Sequence, residues 1–154
     1  MFAVTILGNN SALPAHERHP TAQVVTIEDQ LLLIDCGEGT QMQMSRYKIK
    51  RSKINHILIS HLHGDHYYGL IGLLTSYALQ NRQTPLHIYA PPGLQNIIQV
   101  QLDVVHAILP FEIIFHTIYR KQNIQRRNLI MCNSEMDLGL EASKYKNPRF
   151  DIVS

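Results

Sequence analysis

Residues 54–74, INHILISHLHGDHYYGLIGLL, carry the pattern that decides the fold. The first seven of them, residues 54–60, form a short apolar run of the kind found in buried strands. The loop at residues 61–66 follows directly, and helical spacing then predicts a helix from about residue 67 to residue 79. A buried strand, a polar loop and a helix in this order indicate an α/β unit whose loop lies at the carboxyl end of the strand.

The same alternation of strands and helices extends over the first 117 residues. Glycine-containing breaks, Gly8-Asn9-Asn10 among them, separate the short apolar runs from the segments with helical spacing. This order predicts an α/β domain in which helices cover a sheet. Strands are expected at residues 2–7, 22–27, 31–34, 54–60, 86–90 and 111–115, and helices at residues 40–47, 67–79 and 94–107.

The composition excludes several classes of protein. A chain of 154 residues, 45% hydrophobic and 17% charged, has the apolar content of one globular domain and too few charges for intrinsic disorder. No apolar run reaches the ~18 residues of a membrane span, and the first residues lack the basic segment of a secretory signal. The two cysteines are far apart, which predicts no disulfide and a cytoplasmic location. The net charge of +2 does not by itself indicate a nucleic-acid-binding protein.

Charge is distributed unevenly along the chain. Residues 118–154 contain 11 of the 26 charged residues (14 basic and 12 acidic), although they make up less than a quarter of the length. Their polar, basic stretch RKQNIQRRN has no clear period. We therefore expect a core formed by residues 1–117 and a charged tail formed by residues 118–154.

The loop HLHGDH concentrates side chains that bind metals. His61 and His63 are two residues apart, so an extended backbone points both to one side. Gly64 permits the turn that directs Asp65 and His66 to the same space. Imidazole and carboxylate groups are good ligands for zinc and similar divalent ions. The alternative, a polar surface loop, gives no reason for three histidines to cluster, so the pattern favours a metal site.

The loop has the form HxHxDH, which resembles the signature of the metallo-β-lactamase superfamily. Three further stretches resemble blocks of one family within it, the ribonuclease Z family of tRNA 3′-end processing endonucleases. They are GNNSALPAHERHPTAQVV, LLIDCGEGTQMQM and LHIYAPPGL. The resemblance runs from about residue 2 to residue 116, and the DCGEGTQ block makes it specific to the family.

The resemblance implies a metallo-β-lactamase-type αββα sandwich. This chain would hold about the first half of it, in residues 1–117, because the blocks of the second half are absent and the family's proteins are about twice as long. A half sandwich exposes one apolar face of its sheet to water, which is unfavourable. The chain is then expected to form a homodimer, to bind a partner or to be poorly stable. In the family, the region of the helix predicted at residues 67–79 contributes to the homodimer contact.

The resemblance also implies a phosphodiesterase site with two zinc ions. His61 and His63 would bind one ion, and Asp65 and His66 would bind the other. A hydroxide held between the metals would attack phosphorus at the 3′ end of a precursor tRNA. The aspartate that matches Asp65 is also assigned as the proton acceptor. Asp35, at the end of a strand, would either orient a ligand histidine or act as a turn carboxylate.

Two other hypotheses stay open. The family's further ligands come from its second half, whereas His87, His106 and His116 end apolar elements or alternate within them, which favours structural roles. Glu135 and Asp137 are surrogate carboxylates outside any block of the family. The chain could then be a catalytically inactive fragment that binds metal or associates with itself. Alternatively, it is another metallo-β-lactamase-fold phosphodiesterase, acting on a small substrate.

Three weaker features concern phosphate binding. Residues 46–53, RYKIKRSK, hold five basic side chains and no acid, which indicates either an RNA contact or a solvated helix end. Arg18 either binds a phosphate or pairs with an acid such as Glu17. Thr40 and Gln41, at a predicted helix start, either bind a phosphate or cap the helix.

Overall fold

Strands and helices alternate in the computed structural model, which describes residues 1–11 and 16–119. The predicted tail lies outside the described residues from residue 120 onward. None of the helices described has the length and apolarity needed to traverse a bilayer. The elements are β1 (Phe2–Gly8), β2 (Ala22–Ile27), β3 (Gln30–Ile34), α1 (Thr40–Arg46), a 3₁₀ turn (Arg51–Lys53), β4 (Ile54–Leu58), α2 (Gly64–Tyr67), α3 (Leu70–Leu79), β5 (Leu86–Ala90), α4 (Leu94–Val104) and β6 (Ile113–Thr117).

All six strands form one sheet in the order β1-β2-β3-β4-β5-β6. The first three strands are antiparallel neighbours, and β3, β4, β5 and β6 run parallel to one another. Each parallel connection contains a helix, and right-handed crossovers between adjacent strands place these helices on one face of the sheet. The structure therefore confirms the predicted α/β class.

The face covered by helices forms the hydrophobic core. Pairing between neighbouring strands aligns a row of inward side chains, Val24, Leu33, Ile57 and Ile88. Each of the four is 0% exposed. Full burial of a side chain of this size stabilises the fold by about 1.5–3 kcal/mol, so this row supplies a large part of the packing energy.

The buried face of α3 consists of Leu70, Leu73, Leu74 and Tyr77, as the helical spacing predicted. All four are at most 1% exposed and belong to the hydrophobic core. A side chain buried in the core cannot also contact a second protein. This face of α3 is therefore not available for the homodimer contact that the resemblance implied for the region, and such a contact needs another surface.

The second face of the sheet is not covered by the described helices, and we call it the open face. Phe2 and Val4 of β1 are 71% and 47% exposed there, whereas Leu32 of β3 and Leu58 of β4 are each 8% exposed. The large apolar side chains that are exposed on this face therefore belong to β1 and β2. The strand positions of the open face are Phe2, Val4, Ile6, Gln23, Val25, Ile27, Gln30, Leu32, Ile34, His56, Leu58, His87, Tyr89, Ile114 and His116.

The helix predicted at residues 67–79 is α3, which ends as predicted but begins only at Leu70, because Tyr67 belongs to the separate short helix α2. α2 begins at Gly64, and the chain leaves the helix at Gly69, whose N–H donates to the carbonyl of Cys36 (2.9 Å). A Cβ on Gly69 would collide with the carbonyl oxygen of Gly37. This close approach of two backbone segments separates α2 from α3, and the spacing of apolar residues does not encode it.

The last strand lies two residues beyond its predicted position, residues 111–115. β6 begins at Ile113, which pairs with Leu86 of β5. Phe111 is instead a core residue outside the sheet, and its ring meets the ring of Tyr77 edge to face, with the centroids 6.3 Å apart. The predicted start of β6 was therefore wrong, because Phe111 is buried in the core without belonging to the sheet.

Arg82 is a buried cation, 8% exposed, that sequence patterns did not single out. Its guanidinium carbon lies 4.9 Å from the centre of the Tyr77 ring and 5.7 Å from that of Phe111. The guanidinium donates four hydrogen bonds of 2.6–3.1 Å, to the carbonyls of Ile54, Thr84 and Pro85 and to the side chain of Asn55. Arg82 therefore connects the segment after α3 with the start of β4 and with the residues that precede β5.

Replacing Arg82 with lysine is expected to lower the free energy of unfolding by about 2–3 kcal/mol. The lysine ammonium lacks the planar arrangement of N–H groups with which the guanidinium reaches all four acceptors. Urea denaturation followed by circular dichroism measures the change. Arg46→Lys, at the exposed end of α1, is the matched control and is expected to stay within about 0.5 kcal/mol. Equal effects of the two substitutions would contradict a structural role for Arg82.

Candidate metal site

The carboxyl ends of β3 and β4 meet at one edge of the sheet, and the metal-binding residue types lie there. Asp35 directly follows β3, and the loop at residues 61–66 follows β4 after Ile59 and Ser60. The main chain joins the two ends, because the N–H of Asp35 donates to the carbonyl of Leu58 (2.7 Å). This edge of a parallel sheet is the usual place for a functional site.

Asp35 is a buried carboxylate, 5% exposed, with a left-handed φ of 57°. Aspartate adopts this conformation more readily than most residues. Its Oδ1 accepts from the N–H of Ser60 (2.8 Å), and its Oδ2 accepts from the Ser60 hydroxyl (2.9 Å) and from Nδ1 of His66 (2.8 Å). Asp35 thus contacts and orients a histidine of the loop, the first of the two roles considered for it.

These contacts fix the proton position on His66 and connect His61 to the same network. An ionised carboxylate only accepts hydrogen bonds, so Nδ1 of His66 carries the proton and Nε2 keeps its lone pair. The Ser60 hydroxyl, which donates to Asp35, also lies 3.1 Å from Nδ1 of His61 and 3.1 Å from Nδ1 of His66. His61 is thereby linked to the same network through Nδ1, while its Nε2 lies 3.1 Å from Nδ1 of His63. Metal-binding histidines are oriented in this way by contacts to their other ring nitrogen.

The four side chains of the predicted metal site lie together. The rings of His61 and His66 have centroids 3.7 Å apart, and those of His61 and His63 have centroids 4.6 Å apart. Nε2 of His61 lies 3.1 Å from Nδ1 of His63, and Nε2 of His66 lies 3.5 Å from Oδ2 of Asp65. The loop therefore forms a compact cluster and not a set of side chains dispersed in solvent.

The donor atoms fit zinc in type, but the coordination shell is incomplete. Two close pairs are present, His61 with His63 and Asp65 with His66. Within residues 1–11 and 16–119, no group of three or more His, Cys, Asp or Glu side chains is arranged to hold a metal ion. A protein zinc site usually has three or four protein ligands. Each pair therefore supplies part of a shell that needs further ligands.

The protonation state of His61 follows from its surroundings. Burial lowers the pKa of His61, the rings of His66 and His63 lower it further, and Asp35 and Asp65 act in the opposite direction. A metal binds the neutral imidazole and not the protonated ring. The cluster therefore favours the metal-binding form of His61 at neutral pH.

Gly37 brings the loop after β3 against the histidine loop. A Cβ on Gly37 would collide with the carbonyl oxygen of Asp65, and the adjacent N–H of Cys36 donates to the carbonyl of His66 (2.7 Å). Neither these backbone contacts nor the role of Ser60 was predicted from the sequence. Their signals were the position of Ser60 directly before the loop and the glycines of the DCGEGTQ block.

The weaker candidates for phosphate binding differ in their exposure to solvent. Thr40 is 2% exposed, and its hydroxyl donates to the carbonyl of Gly37 (2.6 Å), so it supports the start of α1. Arg18 is exposed, and the described residues contain no ion pair between it and Glu17. Two surrogate carboxylates lie outside the described residues, Glu135 and Asp137.

Only the first residue of the basic stretch at residues 46–53 belongs to helix α1. α1 ends at Arg46, and the three lysines that follow are exposed beyond its end. Arg51 has a structural role, because Nη1 donates to Gln41 (3.3 Å) and its carbonyl accepts from the hydroxyl of Tyr77 (2.9 Å). The lysines therefore remain as the exposed cations of this stretch.

Known proteins resemble the chain over the residues that build this fold. A protein-family model described as anti-Pycsar protein Apyc1 matches residues 2–137. The ribonuclease Z of Bacteroides fragilis is 45% identical over 121 residues, which cover 79% of this chain and 40% of that protein. The ribonuclease Z of Parabacteroides distasonis is 46% identical over 117 residues, which cover 76% of this chain and 38% of that protein. The crystal structure of human tRNase Z, short form, is 41% identical with a TM-score of 0.70, over 74% of this chain and 44% of that chain.

The sheet, its one layer of helices and the histidine loop define a metallo-β-lactamase-type fold. By the matching family model, the chain belongs to the anti-Pycsar protein Apyc1 family, and its relatives confirm the predicted resemblance of its N-terminal part to ribonuclease Z. The chain spans about two fifths of the length of the curated relatives that it matches.

The thiol of Cys36 is buried directly behind the site. It is 0% exposed, and burial raises its pKa to about 12 from the usual value of 9.0. In a Cys132→Ser variant, where Cys36 is the remaining cysteine, we expect alkylation at pH 8 to be at least about 100-fold slower in buffer than in urea. Mass spectrometry of iodoacetamide-treated protein measures both rates. Similar rates would show that the backbone contacts around Cys36 open readily.

Proposed function

We propose that the chain carries a metal-binding part of a zinc-dependent endoribonuclease site of the ribonuclease Z type. The observation that supports this most strongly is the contact network around Asp35. By its direct contact, Asp35 leaves the Nε2 lone pair of His66 available for a metal, and through Ser60 it is connected to Nδ1 of His61. A polar surface loop would not need a buried carboxylate to orient its histidines.

In this proposal, His61 and His63 hold one zinc ion, and Asp65 and His66 hold the second. When bound, zinc lowers the pKa of a water molecule and offsets the negative charge that develops on a phosphate ester. Asp65 is the proton acceptor of the reaction, and its Oδ2 lies inside the cluster, 3.5 Å from Nε2 of His66. Asp35 is a positioning residue that keeps His66 in its metal-binding orientation.

The proposed substrate is precursor tRNA, cleaved at its 3′ end. The names of the curated relatives, ribonuclease Z, and of the human structure, tRNase Z, support this choice. The exposed lysines of residues 46–53 offer positive charge to RNA phosphates. We also propose that the chain forms a homodimer. Its cytoplasmic location stays a prediction.

A second candidate function is an inactive fragment that binds metal or associates with itself. One observation favours it: within the described residues, each ligand pair leaves its metal with an incomplete shell. The remaining alternative, a different phosphodiesterase of the same fold, shares the metal site. These three functions differ in metal content and in the substrate that is cleaved.

Metal analysis of the purified chain beside a precursor-tRNA cleavage assay tests the proposed function. We expect two zinc ions per chain and cleavage at the 3′ end, with His63→Ala and Asp65→Ala each lowering the rate by at least about 100-fold, because each removes a metal ligand. His106→Ala, an exposed histidine after α4, is the matched control and is expected to keep the wild-type rate. Zinc binding without any cleavage supports the inactive fragment. Cleavage of a small chromogenic phosphodiester alone supports the other phosphodiesterase.

Asp35→Asn tests the orienting contact separately. Asparagine keeps the size of the side chain and the left-handed backbone, but it loses the negative charge that holds the proton on Nδ1 of His66. We expect zinc affinity to fall about 10- to 100-fold, measured by competition with a chromophoric chelator. Asp29→Asn, in the exposed turn between β2 and β3, is the control and should not change the affinity. Equal affinities of Asp35→Asn and the wild type would rule out the orienting role.

A further inference from the structure

Tyr68 is an exposed aromatic side chain two residues beyond the metal-binding loop. It is 63% exposed, more than the other described tyrosines, of which Tyr47 is the next at 51%. Single exposed tyrosines are common on protein surfaces, so exposure alone does not indicate a binding site. The contacts that hold Tyr68 in place distinguish it from the others.

The main chain at Tyr68 is bonded to the two loops that build the metal site. Its N–H donates to the carbonyl of Gly64 (2.9 Å), and the N–H of the next residue, Gly69, donates to the carbonyl of Cys36 (2.9 Å). Its φ of −61° and ψ of −22° continue the helical conformation of α2. Asp65 precedes Tyr68 by three positions, a spacing at which two helical residues lie on one face. Tyr68 is therefore held on the same face of α2 as a proposed metal ligand.

The Tyr68 ring packs directly on the backbone of the loop. A Cβ on Gly64 would collide with carbons of this ring, so the glycine leaves the space that the ring fills. The ring of Tyr67 meets the Tyr68 ring at 68°, with the centroids 5.0 Å apart, and Tyr67 itself packs against the hydrophobic core. These two neighbours fix the position of the ring, and much of its remaining surface is exposed to solvent.

We propose that Tyr68 stacks against an unpaired base of the RNA strand that the metal site binds, which makes the chain prefer RNA with a single-stranded 3′ end. This inference rests on the proposed function, because that function brings an RNA strand to the loop. Stacking of one base on an aromatic ring strengthens binding by roughly 10-fold or more, and it does not depend on which base is present. A ring that is already held in position loses little conformational entropy when the base binds.

The position of the ring suits a base next to the reacting phosphate. Gly64, on which the ring packs, lies between His63 and Asp65, and neighbouring Cα atoms are ~3.8 Å apart. One nucleotide can therefore place its phosphate at the metal-binding side chains and its base on Tyr68. The bases of an RNA helix stack on one another, whereas an unpaired base is free to stack on a protein ring. The contact thus selects a single strand at the site and requires no particular sequence.

Tyr47 is a comparable exposed ring at the opposite end of β4. It directly follows α1, in the segment that precedes β4, whereas the metal-binding loop follows β4. The five residues of β4 span ~17 Å. A base that is bound beside the loop does not reach Tyr47, so this residue separates a contact at the site from a general effect of losing an exposed tyrosine.

The test compares two RNA hairpins that differ only at their 3′ ends. One is blunt, and the other carries an unpaired 3′ extension of about four nucleotides. Fluorescence anisotropy of the labelled RNA measures the dissociation constant of the full 154-residue chain in a chelating buffer, so that no metal-dependent cleavage occurs. We expect the wild type to bind the extended hairpin at least about 10-fold more tightly than the blunt one, which corresponds to about 1.4 kcal/mol.

Three variants assign this preference to the ring of Tyr68. Tyr68→Leu should reduce the preference to less than about 3-fold, whereas Tyr68→Phe should keep it, because phenylalanine retains the stacking face. Tyr47→Leu is the matched control and should also keep it. Circular dichroism checks that the variants fold, and Tyr68→Gln replaces Tyr68→Leu if the leucine variant does not fold.

Four results overturn the proposal: a wild type without the preference, a Tyr68→Leu variant that binds both hairpins equally less tightly, a Tyr68→Phe variant that behaves like Tyr68→Leu, or an equal loss in Tyr47→Leu. Failure of the proposed function is recognised separately. A chain that does not cleave precursor tRNA in zinc but keeps the Tyr68-dependent preference retains the stacking contact. A chain that cleaves precursor tRNA without such a preference retains the proposed function and lacks the stacking contact.

Discussion

The buried carboxylate of Asp35 holds two strand ends and two histidines in one arrangement. It accepts both hydrogen bonds that Ser60 can donate and one from His66, and its main chain joins β3 to β4 through Leu58. An ionised group at 5% exposure is stable only when its oxygens are fully hydrogen-bonded. The loop of residues 61–66 must therefore adopt one conformation, and that conformation brings its metal-binding side chains together.

The one-sided covering of the sheet explains how this site is supported and what else the chain presents. Helices on one face bury the row of Val24, Leu33, Ile57 and Ile88, which fixes the strands whose carboxyl ends carry the site. Within the part of the chain that the structure describes, no helix covers the open face, and apolar side chains of β1 and β2 are exposed there. A site at the sheet edge and a broad apolar face thus follow from the same half of a metallo-β-lactamase-type fold.

Local pattern predicted the order of the elements because apolar spacing directly reflects which side of an element is buried. β2, β5 and the start of α1 lie where the sequence placed them. The prediction was wrong where a distant contact decides: Gly69 leaves the helix to bond Cys36, and Phe111 belongs to the core instead of the sheet. Both errors arise from packing between segments far apart in sequence, which no local window contains.

Within the site, the residue types and their spacing were readable, whereas the supporting contacts were not. HxHxDH after a buried strand determined that His61, His63, Asp65 and His66 share one loop. The tertiary structure decided that Asp35 sets the proton position on His66 and that Ser60 connects His61 to the same network, because those groups meet only when β3 and β4 pair. It also decided that His56, His87 and His116 form a cluster, since strand pairing alone brings together three histidines that are far apart in the chain.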